Sequence, residues 1–382
     1  MRIVSPEEFE SPAFAAKWRA LRDRCPPCDE GQTKYWNRYW WRYFGHSSSK
    51  KLFVLVEEEN GDLLALWPLF LRKRFGLRVL SWIGQADGMV TDYTMPLLPE
   101  QYREKGIKTF LEFLADNESE WDILDIGIPG WSELMPAFVE SAVIHGGRRG
   151  LSWDSYVIEH TTSLELGTSF ESYVSSLGPN LRRRVRGYLR EAEAVGARFD
   201  ILRGRDCAQL LPELVRLNQT RWKVFNDRRA REFLSHYIAE LPVGEESVFL
   251  ACLRVDDKVL AAVLGYESKG ICYMHSGGVD RDAPGKLNAG TAMWALLFKA
   301  LMDTGHTRLE WGPGVEEYKL VLGARIDTAY GMTLWHEPSA IERWRFGESL
   351  VATKRWAFTS GRRILGSVQR MFRPAAPVAP QA

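Results

Sequence analysis

Two stretches of this chain run through the same succession of elements, and that repetition narrows the possible folds more than any other feature. In the later stretch, residues 248–255, 259–266 and 271–277 are strand-like runs divided by Asp256-Asp257-Lys258 and Ser268-Lys269-Gly270. Apolar runs punctuated by turn residues describe an antiparallel meander. A polar loop over 280–290 follows, then an apolar helix over 292–302 that Asn288 or Thr291 can cap and Gly305 can end. A strand over 307–311 then reaches Gly312-Pro313-Gly314. The earlier stretch has strand-like runs at 52–56, 63–71 and 77–83, a polar segment over 84–93, a helix near 101–115 and a strand over 121–128. It ends in Pro129-Gly130. The closing strands put carboxylates at matching places, Asp125 before Gly127 and Glu310 before Gly312. This order predicts an α/β fold with a mixed sheet, built from two similar halves that meet near residues 150–165. The expected domains are 1–160, 161–336 and a tail over 337–382.

Composition excludes several classes. A chain of 382 residues, 45% hydrophobic, can bury a large core, and a net charge of +1 provides no global field for nucleic acid. Five cysteines at scattered positions are not a disulfide framework. Cys25-Pro26-Pro27-Cys28 has no second Cys or His pair at metal-binding distance, so no metal is expected. Neither a signal peptide nor an apolar run of membrane-spanning length is evident, and a cytoplasmic protein is expected.

Three segments invite a binding role. Over 33–44 the sequence TKYWNRYWWRYF places Trp36, Trp40 and Tyr43 on one helical face, either as core or as a ring-stacking wall for substrate that includes Trp40 and Trp41. Pro179 can start a helix on which Arg182, Arg186 and Arg190 share a face, with Arg183 beside them. Such a stripe is either a solvated surface or a phosphate clamp. Over 340–373, eight Lys and Arg residues are interspersed with aromatic and aliphatic ones. This basic amphipathic tail can dock on the protein body or contact the inner face of a membrane peripherally.

The chemistry is expected around the later stretch. Lys319, just beyond the Gly-Pro-Gly turn, can stabilise a tetrahedral oxyanion or a phosphate. Glu310 or Glu317 can act as general base and Tyr318 as general acid or orienting donor, with His275 as a further base or substrate contact. The loop containing Gly285, Lys286, Asn288, Ala289 and Gly290 can offer backbone N–H groups to a pyrophosphate at a helix N-terminus.

These residues carry a family resemblance. Trp40-Trp41-Arg42-Tyr43-Phe44-Gly45, Pro68-Leu69, Asp92-Tyr93, Leu181-Arg182-Arg183 with Arg186, Pro284-Gly285 with Leu287, and Gly314 with Glu317-Tyr318-Lys319 span roughly residues 33–335. In order and spacing they resemble the GNAT acyltransferase superfamily, most narrowly the cellulose-biosynthesis (CelD/BcsL-type) acetyltransferases, related to the Fem-type aminoacyl transferases. The resemblance implies tandem GNAT-like domains, the first degenerate, with a cleft between them. It implies Asp92 and Lys319 as the charged residues of that cleft. It further implies transfer of an acetyl or other acyl group from acyl-CoA to an amine or hydroxyl of a sugar or exopolysaccharide precursor. The segment Arg281-Asp282-Ala283-Pro284-Gly285 departs from the Gln/Arg-x-x-Gly-x-Gly/Ala pyrophosphate pattern of GNAT enzymes. The alternatives are an aminoacyl-tRNA donor, with Arg182, Arg183 and Arg186 on its phosphates, and a non-catalytic membrane-surface component.

Overall fold

The computed structural model describes residues 1–85, 94–130, 132–220, 224–241, 247–280, 282, 284 and 287–353. The chain opens with β1 (Arg2–Ile3), helices α1 (Pro6–Glu10) and α2 (Pro12–Arg24), and the aromatic helix α3 (Lys34–Trp40). Strands β2 (Lys50–Leu52), β3 (Leu55–Glu59), β4 (Asp62–Trp67), β5 (Leu69–Arg74) and β6 (Leu77–Trp82) follow. Next come α4 (Arg103–Asp116), β7 (Ile123–Ile128), α5 (Leu134–Ser141) and the long β8 (Ser152–Glu165). The run expected as one strand over 63–71 is two strands. Pro68 has no N–H to give a ladder, and the break sends β4 into a three-stranded sheet with β1 and β3 while β5 enters the main sheet.

The later half contains α6 (Phe170–Ser176), α7 (Pro179–Ala194), β9 (Arg198–Arg203), α8 (Leu211–Gln219) and α9 (Arg228–Ala239). After these come β10 (Val248–Val255), β11 (Lys258–Ser268), β12 (Ile271–Val279), α10 (Ala289–Asp303), β13 (Arg308–Pro313), α11 (Glu317–Val321) and β14 (Arg325–Trp335). A helix over 338–353 closes the described chain.

Eleven strands form one mixed α/β sheet in the order β2-β5-β6-β7-β14-β8-β13-β12-β11-β10-β9. Two parallel pairs lie within it. β6 connects through α4 to the parallel β7, and β12 connects through α10 to the parallel β13. Each pair is preceded by an antiparallel hairpin, β5–β6 and β11–β12. The segment where the halves meet is itself a strand: β8 pairs with β13 at its C-terminal end and with β14 along most of its length.

Helices cover both faces of the later half, which is why β10 reads Val-Phe-Leu-Ala-Cys-Leu almost without a polar residue. Phe249, Ala251 and Leu253 face a core shared with α7 and α10, and Leu250 and Cys252 face one shared with α3, α8 and α9. A third core lies between the earlier half of the sheet and α4–α5, with Trp67 stacked on Phe110 at 3.9 Å between ring centroids. Burying a side chain of this size contributes on the order of 1.5–3 kcal/mol. The helix over 338–353 docks on the body through Ala340, Ile341 and Trp344 against Leu77, Val79 and Ile123. The remainder of the expected basic tail, from residue 354, lies outside the described residues.

Candidate active site

The β12–β13 ladder stops early. Its registered pairs are Ile271–Arg308, Cys272–Leu309 and Tyr273–Glu310, and beyond these β12 runs on to Val279 without a β13 partner. Both strands are bulged just past the last pair. Met274 pairs with Gly265 and Ser276 with Leu264, so His275 is the extra residue on β12. Glu310 pairs with Ser163 and Gly312 with Thr162, so Trp311 is the extra residue on β13. A bulge bends its strand and re-aims a side chain, and these two bulges border an opening in the middle of the sheet.

The opening is a cavity of about 500 Å³, with Met274–Val279 on one wall and Trp311–Pro313 on the other. From one side of the sheet come Asn288, Gly290, Thr291, Met293 and Trp294 of the α10 region, with Tyr318. From the side where α8 packs come Asn218 and Val224. The cavity therefore reaches both faces. Asn288 caps α10 through Oδ1, which accepts from the Thr291 N–H at 3.2 Å and its hydroxyl at 3.0 Å. The N–H groups of Ala289 and Gly290, in the first turn, have no acceptor within the helix. With the helix dipole they favour an anion there. Gly285 and Lys286 lie outside the described residues.

Burial sets the chemistry of the far wall. The His275 side chain is 7% exposed, and burial lowers its pKa to about 4. At neutral pH the imidazole is uncharged. Its Nδ1 lies 2.9 Å from the Ser276 hydroxyl, its ring 5.1 Å from that of Trp36, and its Nε2 3.9 Å from the Glu30 carboxylate.

Several expected site residues have other tasks. Lys319 borders the cavity, yet its ammonium donates to the carbonyls of Pro313 at 2.8 Å and Gly314 at 3.1 Å and pairs with Glu316 at 3.0 Å. It holds together a turn whose Gly312 and Gly314 have φ of +79° and +89°, the left-handed region that favours glycine. Lys319 thus has a structural role in this turn, alongside its place in the cavity wall. Glu310 is not among the cavity's lining residues, because strand alternation places it opposite its neighbour Trp311. It sits 2.5 Å from Arg308, close to Asp327 and Glu165, and burial raises its pKa to about 7 despite the guanidinium. Glu317 is exposed on the first turn of α11 and does not line the cavity, whereas Tyr318 lines it with its ring 5.8 Å from that of Trp311.

The aromatic wall is also relocated. Trp40 is fully buried between Phe70 and Phe44, Trp41 packs on His46, and Trp36 packs edge-on against the His275 ring, whereas the indoles lining the cavity are those of Trp294 and Trp311. Arg182 donates to the Ser175 and Leu177 carbonyls at the end of α6, Arg186 pairs with Glu171, and Arg183 is exposed. None of the three lines the cavity. Asp92 lies outside the described residues.

Asn218 and Trp311 were missing from the candidates. Asn218 had a readable signal: it falls four residues after Leu214 and seven after Leu211, a polar side chain on the apolar stripe of α8. It is 1% exposed, and its Nδ2 donates to the Gly277 carbonyl at 3.0 Å, while Oδ1 has no hydrogen-bond partner among the described residues. Trp311 Nε1 is likewise buried without a partner. Behind them, a Cβ on Gly278 would come within 2.4 Å of the α8 backbone at Leu217, so glycine is required for α8 to lie against β12.

The corresponding place in the earlier half is closed. The β6–β7 ladder has only the pairs Val79–Ile123 and Leu80–Leu124. Beyond them the Trp82 indole donates to the Gly127 carbonyl at 2.9 Å, and Gln85 accepts from the Gly127 N–H at 3.1 Å. Among the described residues these side chains occupy that gap, while the β12–β13 pair opens onto the cavity. Among the described residues no group of three or more His, Cys, Asp or Glu is placed to hold a metal, and no helix is long and apolar enough to cross a membrane.

Residues 179–320 match the family model described as an acetyltransferase (GNAT) domain. No curated protein matches the chain in sequence. Among solved structures the chain is similar to FemX, at 11% identity and a TM-score of 0.57, over 83% of this chain and 95% of that one. It is also similar to L-PGS from Bacillus licheniformis, at 14% identity and a TM-score of 0.52, over 88% and 96%. A conserved protein of unknown function from Bacteroides thetaiotaomicron aligns at 12% identity and a TM-score of 0.51, over 84% and 97%. At these identities the likeness is one of fold: a mixed α/β architecture shared over most of the chain, within which residues 179–320 match the GNAT domain.

Proposed function

We propose that the chain is an acyltransferase that moves an acetyl or other acyl group from acyl-CoA to an amine or hydroxyl acceptor through the β12–β13 opening. The observation that carries this reading is the coincidence of three features in one place: unpaired strand edge, helix N-terminus and a cavity reaching both faces of the sheet. The α10 N-terminus, through Asn288, Ala289 and Gly290, suits the donor's pyrophosphate. Backbone N–H groups along the unpaired edge of β12 suit the thioester oxygen as charge develops on it. The neutral His275, on the opposite side, suits proton acceptance from the nucleophile. The proposal keeps domain limits of 1–160 and 161–336, with the earlier half as a degenerate counterpart, although the limit falls inside β8. An acceptor of the sugar or cell-envelope precursor class fits a half-open polar and aromatic mouth.

Calorimetry with acetyl-CoA and CoA tests the donor. A Cβ at Gly290 meets Val279 at 3.5 Å and Asn288 Oδ1 at 4.0 Å, both ordinary contacts. G290A is therefore expected to bind as the parent does. G290E, which puts a carboxylate in the anion's place, is expected to weaken binding by roughly tenfold or more, as unfavourable charge at a helix N-terminus should. Equal affinity in G290E, or no binding by the parent, would refute the reading. The exposed cations Arg183, Arg184 and Arg190 on α7 favour one second reading, a donor carried on tRNA. That binding would fall steeply between low and moderate salt.

A further inference from the structure

Phe346 is 67% exposed, more than any other large apolar side chain among the described residues, and Leu350, four residues on, is 47% exposed. Both lie on the helix over 338–353, and the rotation of that helix is fixed. Its inner face buries Ala340, Ile341 and Trp344. A Cβ at Gly347 would come within 2.4 Å of the Phe75 ring, so the helix is pressed close to the body there. Glu348 pairs with Arg74 at 2.5 Å and Arg345 with Asp154 at 2.8 Å. Residues four apart share a helix face, so Phe346 and Leu350 stand side by side on the outer side and cannot turn inward without undoing these contacts. Exposed Arg343 flanks them, and exposed Glu342 lies one turn earlier.

The charge of the chain divides at the same place. Beyond Glu348 the sequence has six Lys or Arg and no Asp or Glu, so the last 34 residues carry +6 and the first 348 carry −5. Among those six cations the sequence places Trp356, Phe358, Ile364, Leu365, Met371 and Phe372.

We propose that the outer face of the 338–353 helix and the cationic chain that follows it form a docking surface for an anionic lipid bilayer. Phe346 and Leu350 enter the boundary between headgroups and acyl chains, Arg343 stays at headgroup level, and the six following cations hold anionic headgroups. Two apolar side chains alone bind reversibly and cations alone are screened by salt, whereas the two signals together anchor. An anionic surface repels the −5 remainder of the chain, which orients the contact toward this end. The aliphatic partners favour a bilayer over nucleic acid: Leu350, Ile364 and Leu365 have acyl chains to enter but no ring to stack on a base. This docking is independent of the acyl-transfer reading.

The test is co-sedimentation of the full chain with vesicles of phosphatidylcholine, alone or mixed with phosphatidylglycerol, at low and moderate salt. Affinity for the mixed vesicles is expected to exceed that for phosphatidylcholine by roughly tenfold or more and to fall as salt rises. F346E with L350E, both outward and therefore compatible with folding, is expected to weaken binding by roughly tenfold or more with Tm unchanged. Removing residues 354–382 is expected to weaken it by roughly 10²-fold or more, because each cation near an anionic surface contributes about fivefold. Equal binding to both vesicles, no binding to either, or full affinity in F346E/L350E would overturn the docking surface. Retention by immobilised tRNA and not by vesicles would assign the cations to nucleic acid. A dimer dispersed by F346E/L350E, with no vesicle binding, would assign the face to a second copy of the chain. Either result refutes a lipid partner.

Discussion

Replacing Glu310 with Gln separates a structural carboxylate from a catalytic one. Glu310 is 1% exposed, and burial raises its pKa from 4.5 to about 7 even though Arg308 is 2.5 Å away. Between those two values the folded chain binds a proton more readily than the unfolded chain. Its contribution to stability is therefore greatest below pH 4.5 and is lost as pH rises through 7. A difference of about 2.5 pKa units at 1.36 kcal/mol each amounts to about 3 kcal/mol across that window. E310Q removes the titration, and Arg308 retains Glu165 at 3.5 Å and Asp327 at 3.6 Å. Urea unfolding of both proteins at half-unit steps from pH 5 to 8 reads the effect, and the difference between them cancels other titrating groups, His275 included. The wild-type stability should fall relative to E310Q as pH rises, by up to about 3 kcal/mol. Acyl transfer by E310Q should stay within a few-fold of wild type. Parallel pH curves would refute the burial argument. A loss of 10² or more in turnover with stability unchanged would restore Glu310 as the general base.

Other perturbations test the remaining assignments. K319M strips a buried turn of a charge that bonds two carbonyls and Glu316, and should cost roughly 2–4 kcal/mol in chemical unfolding. Its activity loss should track the unfolded fraction, whereas a turnover defect in fully folded K319M would return Lys319 to the chemistry. W82A removes the plug of the earlier half and should cost roughly 3–5 kcal/mol while leaving one acetyl-CoA site per chain by calorimetry. H275A should lower turnover by roughly 10²–10⁴ with acetyl-CoA affinity retained, read by comparing kcat with the calorimetric Kd. G278A forces a Cβ to within 2.4 Å of the α8 backbone and should lower Tm, read by thermal unfolding.

What the sequence revealed depended on the range of the physics involved. Period-two runs and turn residues are local, so the β10–β11–β12 meander, α10 and the closing strand β13 could be placed within a few residues. The succession of elements was legible for the same reason, and it identified the later half as the place to look. Pro68 was equally local, and its missing N–H is what divides the expected 63–71 strand. The surroundings of the candidate residues depend on register, which is not local. Glu310 and Lys319 looked catalytic because both are charged and close to a glycine turn. Only the pleat of β13 shows that Glu310 faces away from Trp311, and only the closed turn shows that Lys319 is engaged by carbonyls. His275 becomes the extra residue of a bulge through its pairing with β11, a relation that its neighbours in sequence do not encode.

The same dependence on register explains how one architecture yields one open site and one closed place. Both parallel pairs stop hydrogen bonding after a short ladder. A gap in a buried sheet leaves backbone N–H and C=O groups that must be satisfied. In the earlier half, Trp82 and Gln85 bond both polar groups of Gly127, and the gap becomes core. In the later half the equivalent edge passes through Gly277 and Gly278, which have no side chains to fold back, and Asn218 arrives from α8 with its nitrogen on Gly277 and its oxygen without a partner among the described residues. The later opening is thus kept by glycines that cannot plug it, and its unmet hydrogen bonds are what a substrate is left to supply. A double variant bringing the plug to the later half, G277Q with G278W, would test that logic only if α8 could still pack, and the 2.4 Å approach at Gly278 says it could not. The informative direction is the reverse: W82G with Q85G should open the earlier gap, admit solvent to the Gly127 amide, and increase its hydrogen exchange by orders of magnitude while the β12–β13 site continues to bind acetyl-CoA. If the Gly127 amide stayed as protected as in the parent, something other than these two side chains would be closing the earlier gap.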